Sequence, residues 1–176
     1  AAACFAVAAS SLVWSFTRAP EVRVVTLPAP SVTPSATQMV TPAPTLAQQR
    51  AEVASAKDAV HVDWQATKDP ASKGASGDVV WSASLQKGYM RFVGLAPNDK
   101  TVGQYQLWIF DKDRDARYPV DGGVFDVASN GEVLVPIASK LRVDDATLFA
   151  VTFEKPGGVV VSKRERMIVT AAPKSG

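Results

Sequence analysis

The residues whose types and spacing could do chemistry crowd into YQLWIFDKDRDARYPVDGGVF, residues 105 to 125. Asp111, Asp113 and Asp115 alternate there as the first ligands of a calcium loop do. An EF-hand then requires glycine at the sixth position and a bidentate glutamate at the twelfth, where this chain has Ala116 and Gly122. Lys112 and Arg114, interleaved with the carboxylates, can neutralise them in place of an ion, so the spacing predicts a solvated hairpin tip. Acid/base catalysis by the same groups would need one carboxyl desolvated enough to stay protonated, and consecutive charges on a tip are wet.

Elsewhere the inventory is thin. His61 is the only histidine and Cys4 the only cysteine, which excludes a thiolate zinc cluster and a two-histidine, one-cysteine copper centre. His61 reads as an ordinary strand residue. No serine sits in a nucleophile elbow and no glycine-rich phosphate loop is present, so no catalytic residue, metal or cofactor is expected. Trp64, Trp81 and Trp108 could stack a ligand, but aromatics in strands are read as core. Lys163-Arg164-Glu165-Arg166 reads as a solvated turn. With 19 basic against 17 acidic residues, a net charge of +2 gives no basic surface for nucleic acid.

The elements that must position these residues follow from composition, since 176 residues at 47% apolar suffice for one domain with accessory segments. AAACFAVAASSLVWSFT, residues 1 to 17, carries no charge and no initiating methionine, and is expected to be the C-terminal part of a transmembrane helix lying in the lipid bilayer. A signal-peptide remnant and a buried soluble helix are its rivals. Residues 18 to 45, with prolines at 20, 28, 30, 34, 42 and 44 among Ser and Thr, predict an extended stalk. Residues 46 to 60 restore helix formers, with Thr45 as a cap and a thin apolar face.

From residue 61 to 172 the chain reads as an all-β antiparallel sandwich, with residues 173 to 176 a tail. Its candidate strands are VHVDWQAT, DVVWSA, GYMRFVGL, QYQLWIFD, GVFDV, EVLVPI, TLFAVTFE, VVVS and RMIVTA. In TLFAVTFE, Phe149, Val151 and Phe153 share one face, and Thr152 and Glu154 the other. Asn130-Gly131 predicts a tight hairpin between GVFDVAS and EVLVPI. Pro156-Gly157-Gly158 predicts a turn, and Pro136 an edge strand.

Three pieces carry a family resemblance: Tyr105-Gln106-Leu107-Trp108, Gly123-Val124-Phe125, and Ala150 to Glu154 followed by Pro156-Gly157-Gly158. Their order and spacing, within residues 78 to 172, resemble the C-terminal domain of anti-sigma-K factors of the RskA type. The resemblance implies a single-pass bacterial membrane protein with its β-rich domain outside the cytoplasm. A cytoplasmic N-terminal domain, absent from this sequence, would sequester an extracytoplasmic-function (ECF) sigma factor, and membrane proteases would release it stepwise. It also implies an architectural motif of Tyr105, Trp108, Gly122, Gly123, Phe125, Glu154, Pro156, Gly157 and Gly158. The alternatives are a membrane-anchored β-sandwich binding module for a cell-envelope ligand and, further off, a hydrolase using the loop from Asp111 to Asp121.

Overall fold

A computed structural model describes residues 42–129 and 131–173. The expected membrane helix over residues 1 to 17 and all but the end of the stalk lie outside the described residues. Among the described residues no helix is long and apolar enough to cross a membrane. Pro42–Gly176 form one compact unit, whose apolar core is built from residues within it.

Helix α1 spans Leu46–Ala54. The Thr45 hydroxyl accepts from the Gln48 N–H while the Gln48 side chain accepts from the Thr45 N–H, a reciprocal cap that satisfies two donors at the helix start. The helix stops short of the expected Val60, because Ala59 and Val60 already pair as a strand with Ser82 and Trp81. The strands are β1 (Ala59–Asp63), β2 (Gln65–Ala66), β3 (Ser76–Ser82), β4 (Lys87–Val93), β5 (Gln104–Asp111), β6 (Val120–Phe125), β7 (Glu132–Pro136), β8 (Ala146–Glu154) and β9 (Met167–Ala171). They form two antiparallel sheets, ordered β1-β3-β4-β7 and β2-β9-β8-β5-β6.

Period-two alternation turns Val79, Trp81, Met90 and Phe92 of the first sheet and Leu107, Ile109, Phe149 and Val151 of the second into one shared core. Trp64, Phe92, Phe125 and Tyr105 stack in series through it, with ring centroids 5.2, 5.4 and 5.5 Å apart, distances at which aromatic pairs attract beyond their burial.

Three expectations need correction. The strands flanking residues 130 and 131 are not neighbours: β6 pairs with β5, and β7 pairs with β4 in the other sheet. Asn98 explains the change of sheet, since it grips Val127 through both the Val127 N–H (2.8 Å) and its carbonyl (3.1 Å) and buries that side chain in the core. VHVDWQAT is two strands, β1 and β2, which part at Trp64 and join different sheets. VVVS forms no strand; it belongs to a strap, residues 155 to 166, that crosses the outer face of the five-stranded sheet. Pro136 does end an edge strand.

Candidate functional site

Strand β5 is buried on both faces, which places its motif residues in two settings. Tyr105 points inward: it stacks on Phe125, meets Phe153 edge-on at 5.3 Å and donates its hydroxyl to the Ala96 carbonyl at 2.8 Å. Burial raises its phenol pKa. Gln106 and Trp108 point outward, yet are 1% and 2% exposed, because the strap lies over them.

Polar side chains fasten that strap. The Gln106 amide donates to the Val159 carbonyl at 3.0 Å and accepts from the Val159 N–H at 2.9 Å, imitating one rung of a sheet ladder. The Trp108 indole N–H donates to the Thr152 hydroxyl at 2.9 Å. Thr152 donates in turn to Glu154 at 2.7 Å, and the strap's Ser162 donates to the same carboxylate oxygen. Every member of this chain, which runs from buried Trp108 to half-buried Ser162, has a partner, the condition under which such a network stabilises a fold. At Gly158 (φ +74°) a β-carbon would lie 2.6 Å from Val124 Cγ2 and 2.8 Å from Gln106 Oε1, so the strap descends to the sheet only because this residue has none.

Arg164 and Arg166 hold the strap's far limb. Arg164 sits in the left-handed region (φ +58°), its guanidinium 5.0 Å from the Phe110 ring centroid and hydrogen-bonded to the Ala116 carbonyl. Arg166 forms a two-pronged pair with Asp69, both contacts 3.0 Å, and lies 4.6 Å from the Phe153 centroid. That pairing lowers the Asp69 pKa and raises that of Arg166. Of the basic run read as a solvated turn, two members are therefore bound to the domain.

The remaining glycines of the motif border this network, Gly123 donating its N–H to the Asp121 oxygen that also accepts from Gln106. Gly122 and Gly123 are in β6, where a bulge against β5 falls between Leu107 and Trp108. A β-carbon on Gly122 would strike Leu107 at 2.5 Å, a close approach within a strand, whereas Pro156-Gly157 does form the expected turn, with the Gly158 N–H donating to the Lys155 carbonyl at 2.9 Å.

The acidic loop is only partly the wet tip its sequence suggests. Asp111 is 7% exposed and accepts from the N–H groups of Asp113 (3.0 Å), Asp144 (2.7 Å) and Asp145 (3.4 Å), tying two loops together. Burial alone would raise its pKa; the three N–H groups and the Arg114 charge outweigh that and hold it below the ordinary value. Asp115 pairs with Arg117 at 2.6 Å, not with Lys112 or Arg114. Among the described residues no group of three or more His, Cys, Asp or Glu side chains is placed to hold a metal. His61 stays on β1, its ring 3.4 Å from the Ala54 carbonyl.

The sequence reading gave Gln106, Thr152 and Ser162 no fastening role and took Asp111 for part of a solvated tip, where it is buried. The available signal was positional: Gln106 stands opposite Thr152 across the ladder, two residues from Trp108 as Thr152 is from Glu154, which puts polar groups on one face of two apolar strands.

The fold defines a class: a small domain of two antiparallel sheets with a helix over one outer face and a fastened strap over the other. The family model described as the C-terminal region of anti-sigma-K factor RskA matches residues 1–163, and the chain belongs to that family. The family indicates an anti-sigma factor, a regulator whose partner is a sigma factor. No curated protein and no solved structure matches the chain.

Proposed function

We propose that this chain is the membrane-proximal and extracytoplasmic part of a single-pass transmembrane anti-sigma factor that regulates an ECF sigma factor in transcription. Residues 1 to 17 anchor it in the bilayer, residues 18 to 45 are the stalk, and the β-domain lies outside the cytoplasm. A cytoplasmic N-terminal domain grips the sigma factor, and membrane proteases release it by stepwise cleavage. The observation that supports this most is the family match, whose span of residues 1–163 takes in the apolar opening, the stalk and all but the end of the sheets. Tyr105, Trp108, Gly122, Gly123, Phe125, Glu154, Pro156, Gly157 and Gly158 serve in this reading as the family's architectural residues. The experiment is to express the full-length gene product in its host. A sigma factor should co-purify with it, and a cysteine placed in the β-domain should react with an impermeant thiol reagent in intact cells. Absence of any sigma factor, with the cysteine protected, would contradict the reading.

A second reading, a membrane-anchored module that binds a cell-envelope ligand, is favoured by a groove beside the strap.

A further inference from the structure

The strap leaves a groove of about 410 Å³ between itself and the end of β8, within the size range of small-ligand sites, roughly 300 to 1,000 Å³. Phe153 and Val159 give it an apolar wall. Lys155, Lys163, Arg164 and Arg166 line it together with Glu154 and Glu165. Half of these charges are already engaged: Arg166 with Asp69, Arg164 with the Ala116 carbonyl, and Glu154 with the hydroxyls of Thr152 and Ser162. Among the described residues Lys155 and Lys163 have no carboxylate within ion-pair distance. Four cations against Glu154, Glu165 and Asp69 leave the site one net positive charge.

The lip of the groove has the opposite character. Val160 is 94% exposed and its neighbour Val161 is 52% exposed. A free anion would gain from the lysines but nothing from these valines, whereas a bilayer surface offers both a headgroup charge and an acyl boundary. We propose that the groove seats the phosphodiester headgroup of an anionic membrane lipid, with Val160 and Val161 entering the edge of the acyl layer. A phosphodiester carries one negative charge, matching the net charge of the site. The strap would then lay the outer face of the second sheet against the membrane.

This inference goes beyond the anti-sigma reading and stands apart from it: vesicle binding can fail while sigma capture succeeds, and the reverse. The test uses residues 42–176, the compact unit, in cosedimentation with phosphatidylcholine vesicles with or without phosphatidylglycerol. Binding should require phosphatidylglycerol and weaken with added salt. The Lys155→Ala/Lys163→Ala variant should bind roughly 30-fold more weakly, at a factor of about five per lysine near an anionic surface, with an unchanged melting temperature. Val160→Asp should also abolish sedimentation without altering melting. Equal binding to both vesicle types, or full binding by the double-lysine variant, overturns the proposal. So does saturable binding of soluble glycerophosphoglycerol without binding to vesicles, which would reassign the groove to free phosphodiesters.

Discussion

The two sheets are covered on their outer faces by different means. Over the first, α1 lies with Val53 packed on Val80 and Tyr89, its Arg50 paired with Asp78, which also holds Arg91 at 2.6 Å. Val53 is the only buried residue of the helix, so the contact is small and partly ionic. Over the second, the strap has no regular structure and is held by Gln104 and Gln106, side chains that rise from the sheet to its backbone. A helix satisfies its own backbone and can leave as a unit; an irregular segment whose N–H and C=O groups are bonded to buried side chains cannot leave without stranding them. The strap should therefore be the firmer cover, although it looks like a loop.

Trp108→Ala breaks the comparison most severely. It removes the largest side chain beneath the strap and frees Thr152, and should cost about 3 to 5 kcal/mol in chemical denaturation. A loss no larger than that of an exposed substitution would mean the strap shields little. Gly158→Ala attacks the same cover from above, pairing a left-handed backbone with a β-carbon 2.6 Å from Val124. About 2 to 4 kcal/mol should be lost, with tryptophan fluorescence shifted to the red as water reaches Trp108.

The charged loop between β5 and β6 supplies a third case. Asp111→Ala takes away a buried acceptor shared by three backbone N–H groups and should cost about 1 to 3 kcal/mol, whereas Asp113→Ala, at an exposed position, should cost about 0 to 1 kcal/mol. Because the folded Asp111 pKa is lowered, the contribution of its ionised form is complete above the ordinary value of 3.8 and is lost as pH falls through the folded value. The stability gap between the protein and Asp111→Asn, followed by urea midpoints, should hold near neutrality and narrow below 3.8.

On the other face, Thr45→Ala should loosen α1 by about 1 kcal/mol and speed exchange of the helix amides without touching those of the strap. This is the smallest effect of direct use, because it separates the two covers.

The same contrast explains what could be read from the sequence. The start of α1 was legible because Thr45 is a local signal, and the inward face of β8 because Phe149, Val151 and Phe153 alternate. The strap was misread at Val159-Val160-Val161, where β propensity is high but the segment crosses the face of a sheet and does not run along a strand edge; its place is set by Gln106, a contact 53 residues away. Burial of Trp108 was foreseen, its side of the sheet was not. A run such as Tyr105 to Phe110, apolar on both faces, signals a strand covered twice without naming the cover. The hairpin at residues 130 and 131 failed because Asn98, far upstream, outweighs a two-residue turn preference.

The central claim is that Gln106, Trp108, Glu154 and Gly158 fasten an irregular strap as part of the fold. Native-state hydrogen exchange tests it most directly, by comparing the Val159 amide, bonded to Gln106, with the Ser55 amide at the end of α1. Exchange of Val159 only through opening of the whole sheet, with Ser55 exchanging earlier, is the expected result; a Val159 amide that exchanges as fast as an exposed loop would contradict the account.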